Sequence, residues 1–115
     1  MRTYAFPWFT PDAPLSLVET FRAMLSETPA EGYAACCEAL ADLDLRERLS
    51  AIAAPTLVLT GAEDPVAPPE AGERLAGSIS GARHTTIDRA AHIANAERPS
   101  TFTQQVLAHL TEENR

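Results

Sequence analysis

Thr56-Leu57-Val58-Leu59-Thr60-Gly61-Ala62-Glu63-Asp64-Pro65 is the stretch that decides how this chain folds. Its apolar run, Leu57-Val58-Leu59, stands between threonines. Such a run suits a strand covered on both faces, as in a parallel sheet. Pro55 favours an extended backbone at Ala54 and marks the entry to the strand. Gly61 permits a sharp turn after it, and the turn ends on the carboxylate of Asp64. A second stretch repeats the layout: His84-Thr85-Thr86-Ile87-Asp88, then Arg89-Ala90-Ala91-His92. This strand is weaker, and its turn ends on an imidazole.

Between the two strands lies room for one crossover helix. Pro68-Pro69-Glu70 opens it, Ala71, Leu75 and Ala76 form its apolar side, and Gly77 to Gly81 reads as loop. A parallel strand–helix–strand unit is right-handed in nearly all cases. Ligands in such sheets collect beyond the carboxyl ends of the strands. Asp64 and His92, 28 residues apart, both fall there. A last helix starts near Pro99 and offers Phe102, Val106, Leu107 and Leu110 for packing; residues 111–115 are expected to fray.

Working back towards the start, the pattern before Ala54 is helical. A turn at Trp8-Phe9-Thr10-Pro11-Asp12 leads to a helix over residues 14–26, with Pro14 at its first position. Ser16 and Glu19 have capping-box spacing and offer a start two residues later. Leu17, Phe21, Met24 and Leu25 form its stripe. A second helix takes Thr28 as N-cap, Pro29 first and Glu31 third, with Tyr33, Ala34, Cys37, Leu40 and Ala41 on one face. A short third starts at Asp44 with Glu47 as reciprocal cap, and Leu45, Leu49 and Ile52 as its apolar side. The fold class is therefore α/β, with residues 1–53 a helical lid and residues 54–115 strand, helix, strand, helix.

Composition narrows the function. At 115 residues the chain is one domain at most. It carries a net charge of −7, which disfavours nucleic acid and anionic lipid as partners. No apolar run reaches the roughly 20 residues that span a bilayer, and the start lacks the features of a secretory signal, so the expected location is cytoplasmic. Every basic side chain other than histidine is Arg, which reads as codon bias. Cys36 and Cys37 are adjacent, a spacing poor for a disulfide, and two cysteines alone make no metal site. They read as small buried side chains on a helix. No cofactor or metal is called for.

A carboxylate beside an imidazole fixes the ring's tautomer and stabilises the imidazolium formed when the ring takes a proton. Alone, Asp64-Pro65 reads as a turn start and His92 as a loop histidine. On matching strand ends they read as a pair. Glu63 and Asp88 are alternative acids, the first in mid-turn and the second too close along the chain to His92. His84 and His109 read as structural or solvated, His109 in a last helical turn where an imidazolium suits the dipole.

The sequence contains no G-x-S-x-G elbow. Gly77-Ser78-Ile79-Ser80-Gly81 has Ile at its centre and lies between helix and strand, the wrong order. No H-G-G-G-type oxyanion loop occurs. An acid–histidine pair without nucleophile or oxyanion donors lacks the main electrostatic contribution to acyl transfer.

These segments resemble the C-terminal part of an α/β-hydrolase. Leu57-Val58-Leu59-Thr60-Gly61-Ala62-Glu63-Asp64 with Pro68-Pro69 is similar to the family's acid turn, and Ala90-Ala91-His92-Ile93-Ala94-Asn95-Ala96-Glu97-Arg98-Pro99 to its histidine loop. Trp8-Phe9-Thr10-Pro11 and Glu31-Gly32-Tyr33-Ala34-Ala35-Cys36-Cys37 resemble the cap of the 3-oxoadipate enol-lactonases. The resemblance implies a partial α/β-hydrolase fold with two parallel strands after cap helices. It also implies Asp64 as triad acid, His92 as general base, and a serine supplied by sequence not present here. It implies a lactone or ester substrate in aromatic catabolism (the β-ketoadipate pathway). Trp8 would wall the pocket or fill the cap core, and Arg2, Arg22 or Arg46 would meet a substrate carboxylate. Esterases and haloperoxidase-like enzymes share much of this cap.

Two other expectations follow. Two strands make a marginal sheet, and an apolar edge at residues 56–60 is a template for pairing, with a missing N-terminal half or with a second copy. The isolated chain is accordingly expected to pack loosely or aggregate, and to be inactive alone.

Overall fold

The backbone after Pro55 runs as the apolar patterning requires. β1 (Leu57–Gly61) and β2 (Arg83–Ile87) pair in parallel, with Leu57 opposite Arg83 and Gly61 opposite Ile87. The coordinates are a computed structural model that describes residues 7–111. Upstream of the sheet lie α1 (Leu15–Glu27), α2 (Ala30–Asp42) and a 3-10 turn (Arg46–Ala51). α3 (Pro69–Gly77) makes the crossover between the strands. A four-residue α4 (Ala94–Glu97) and then α5 (Pro99–Leu110) follow β2. Among the described residues no helix is long and apolar enough to cross a membrane.

The core sits beside the end of the sheet. Ile87 and Ala90 are fully buried, Ala94 nearly so, and Leu59 and Phe102 pack against them. α3 lies close on the sheet because residue 72 is glycine. A Cβ there would stand 2.6 Å from Thr60 Cγ2 and 2.7 Å from His84 Nε2. Thr60 Oγ1 and His84 Nε2 hydrogen-bond at 2.8 Å beneath that contact, which gives His84 a structural place.

Several local expectations are corrected. Pro14 is the N-cap of α1, not its first residue, and the Ser16–Glu19 capping box does not form. Ser16 instead accepts from Thr20 through its carbonyl, and Glu19 pairs with Arg22. Pro29 caps α2, while the Thr28 hydroxyl turns back to the Met24 carbonyl. The segment after Asp44 is 3-10, with Asp44 accepting from the Arg46 amide and Glu47 making no cap. α4 was not legible; it is one turn long, too short for any periodicity.

The apolar stripes of the first half have little opposite them. α1 and α2 bury no residue, and Met24, Tyr33, Leu40 and Leu43 are all more than half exposed. Cys36 and Cys37 are exposed thiols, not the buried side chains expected. Leu107 and Leu110, expected to pack from α5, are exposed too; Phe102 and half-buried Val106 do that work. Leu75 leaves the core and joins Leu43, Leu45 and Leu49 around a shallow depression. An amphipathic face states what a helix could cover, and here the described residues leave those faces open.

Candidate active site

The acid turn and the histidine loop are joined at backbone level. Ala62 N donates to Ile87 O and Glu63 N to Ala90 O, each at 2.9 Å. The histidine loop passes directly over Gly61, where a Cβ would fall 2.1 Å from Ala91 O and 2.5 Å from Ala90 O. Gly61 is therefore required for close approach. The turn expected after it is present, with Asp64 N donating to Gly61 O at 3.2 Å, but its φ is not positive, so close approach is what requires glycine here. Arg89 takes the left-handed conformation instead, at φ 53°.

That junction brings Asp64 and His92 together. His92 Nδ1 lies 3.0 Å from Asp64 Oδ2. The other carboxylate oxygen, Oδ1, accepts from the Val66 and Ala67 amides at 2.8 and 3.1 Å. Asp64 is thus both turn residue and histidine partner, one oxygen for each. Its side chain is 5% exposed and that of His92 33%. Burial pushes the Asp64 carboxyl up. Hydrogen bonds from His92 and the Ala67 and Val66 amides, with the attraction of the ring, outweigh that and hold it below the ordinary carboxylate range. With Nδ1–H donating to Asp64, Nε2 is the ring's acceptor, the arrangement a proton-accepting imidazole needs. Glu63 and Asp88, the alternative acids, are exposed, and His92 turns to Asp64.

Trp8 lies beside the imidazole. The two ring centroids are 6.4 Å apart and tilted by 45°. The Trp8 carbonyl accepts from the Ile93 amide at 3.0 Å. Next to it, Phe9 is buried and packs edge-on against Phe21 at 5.2 Å.

Glu97 escaped the sequence reading. It is 7% exposed, and its carboxylate accepts from Ala91 N (3.0 Å), Thr10 N (3.1 and 3.2 Å) and the Thr10 hydroxyl. Its partner Thr10 lies 87 residues earlier, a separation that no local pattern reveals.

Of the three arginines considered for a substrate carboxylate, Arg2 lies outside the described residues. Arg22 pairs with Glu19 at 3.1 Å. Arg46 grips both oxygens of Asp44, whose carboxyl these hydrogen bonds hold down to about 2. His109 does lie in the last turn of α5, but Nδ1 faces Arg83 at 3.3 Å and Nε2 faces the Pro55 carbonyl at 3.2 Å. Both ring nitrogens of His109 therefore have partners, which gives the ring a structural place. Among the described residues, no group of three or more His, Cys, Asp or Glu stands together to hold a metal ion.

The chain belongs to the alpha/beta hydrolase fold family, which matches residues 14–99. It is 42% identical to 3-oxoadipate enol-lactonase 2 of Acinetobacter baylyi, across 93% of this chain and 41% of that protein. A hydrolase from Pseudomonas aeruginosa superposes with a TM-score of 0.82 at 44% identity, over 90% of this chain and 40% of that one. The enol-lactonase from Burkholderia xenovorans gives 0.75 at 36% identity, over 92% and 42%. The chain spans about two fifths of the length of the relatives it matches.

Proposed function

We propose that Asp64 and His92 are the acid and the general base of a serine-hydrolase site that opens a lactone, with a 3-oxoadipate enol-lactone as the leading substrate. The observation that carries this is the 3.0 Å carboxylate–imidazole contact at the carboxyl ends of two adjacent parallel strands. Similarity to two enol-lactonases supports the substrate class.

Asp64 Oδ2 accepts the Nδ1 proton and fixes the tautomer. Nε2 takes the proton of an attacking hydroxyl, and the carboxylate stabilises the imidazolium until that proton passes to the leaving oxygen. Water then releases the acid by the same route in reverse. The hydroxyl and the oxyanion donors come, in this reading, from sequence outside these 115 residues, so the chain alone gives no turnover. Residues 1–53 form the end of a cap and residues 54–115 the part of the core bearing acid and base. Trp8 walls the pocket next to the imidazole, and the product feeds the catabolism of aromatic compounds in the cytoplasm.

The test joins this chain to the in-frame sequence upstream of Met1. If that sequence encodes a G-x-S-x-G elbow, the joined protein hydrolyses an enol-lactone in preference to an aryl ester, and His92→Ala abolishes turnover. Preference for the ester moves the assignment to an esterase. Turnover surviving His92→Ala removes His92 from the mechanism.

One observation favours a second reading, a non-catalytic module that pairs with another chain. α1 and α2 bury nothing, and each strand of a two-stranded sheet has an open edge. A monodisperse monomer by light scattering argues against it.

A further inference from the structure

We propose that Glu97 is a positioning residue that sets the place of Trp8 against His92; this rests on the reading of those two side chains as pocket wall and base. Trp8 and His92 belong to segments far apart in sequence, and neither ring could find the other unaided. Among the described residues, two hydrogen-bonded links join the segments. One is the Ile93 amide on the Trp8 carbonyl at 3.0 Å. The other is Glu97, whose carboxylate takes the Thr10 amide and hydroxyl from one segment and the Ala91 amide from the other. Thr10 is two residues after Trp8, and Ala91 immediately precedes His92.

The charge of Glu97 suits this role. A carboxylate offers only acceptors, and all three donors facing it are donors in any conformation or can become so. The carboxylate is nearly buried, so removing it strands two backbone amides where water reaches poorly, which drives the segments apart. Its hold is made of amides and a hydroxyl, and is directional. The site's geometry thus depends on an acid that grips the two backbones beside the rings.

Trp8 is the only tryptophan in the chain, so its fluorescence reads the contact directly. An imidazole against an indole quenches its emission, and the two centroids lie 6.4 Å apart. Replacing His92 by Phe at constant pH therefore raises the emission, and that step is read in the parent chain and in each variant below.

Glu97→Ala is expected to lose most of the step's amplitude. Glu97→Gln is expected to keep it, because its carbonyl oxygen still takes Ala91 N and its amide can donate to the Thr10 hydroxyl. A merely stabilising Glu97 would lower the unfolding midpoint in Glu97→Ala and leave the amplitude alone, and that result overturns the proposal. If Glu97→Ala does not fold, Thr10→Val is compared with Thr10→Ser. Loss of amplitude in the valine variant only supports the proposal, and equal amplitudes overturn it. The step reports proximity whether or not the chain takes part in hydrolysis. Failure of the proposed function therefore leaves this result standing, and the reverse holds as well.

Discussion

Replacing Gly61 by alanine would set a methyl carbon 2.1 Å from Ala91 O, 2.5 Å from Ala90 O and 2.8 Å from Ala90 C. All three are backbone atoms, so no side chain can turn aside to relieve the conflict. The histidine loop must lift, and the Glu63–Ala90 hydrogen bond at 2.9 Å lies directly in the path of that movement. Overpacking costs about 1–3 kcal/mol and a lost amide bond about 1 kcal/mol, so local opening becomes easier by roughly 2–4 kcal/mol. That converts to a loss of roughly 30- to 1,000-fold in hydrogen-exchange protection at the Glu63 amide, down to the limit of no protection. The same loop carries His92, so the hydrogen-bonded Nδ1 proton should vanish from the NMR spectrum in step. Gly32 supplies the contrast. It lies in α2 with nothing within 4 Å of a new Cβ, and Gly32→Ala should stabilise by about 0.5–1 kcal/mol through backbone entropy. Parent-like protection at Glu63 in Gly61→Ala, with the His92 proton intact, would refute the claim that the loop crosses on this glycine.

Three further outcomes are expected. The Asp64 carboxyl is depressed, so its contribution is present above the ordinary carboxylate pKa and is lost as pH falls through the lower folded value. Acid titration should therefore break the hydrogen bond from His92 Nδ1–H only below the ordinary carboxylate range, as Asp64 takes up a proton, and an Asp64→Asn variant with an identical acid transition would contradict this. Leu40 is 67% exposed, and Leu40→Glu should change stability by no more than about 0.5 kcal/mol in denaturant titrations of the chain alone; a larger loss, with a change in sedimentation, would show that a second copy covers α2. Cys36 and Cys37 are exposed, so both should react with a thiol reagent without denaturant, and protection of either would mean that its helix face is covered.

The sheet and the site were legible for different reasons. β1 announced itself through Leu57-Val58-Leu59 between Pro55 and Gly61, and the parallel order followed from a helix-length gap before His84. Asp64 and His92 could be paired on paper because topology alone puts both turns at one end of the sheet. Helix caps were less legible, since Pro14 and Pro29 took the N-cap positions that local rules give to hydroxyl side chains. Burial in the first half was misread because an apolar stripe on α2 records a demand for cover, and Tyr33 and Leu40 do not find it among the described residues. Glu97 stayed hidden because its chemistry is written in Thr10 and Ala91, residues ordinary in themselves. Gly61 marks the turn in the sequence, but sequence cannot say which backbone will cross a glycine.

The contacts that bring acid and imidazole together all fall between Leu57 and Glu97. Such a stretch behaves as a cassette. A recombination joint at Ala54-Pro55 would carry it whole into a new gene, needing from its host a donor to satisfy Glu97 and an acceptor for the Ile93 amide. Lineages could then exchange everything upstream while inheriting the Asp64–His92 contact unchanged.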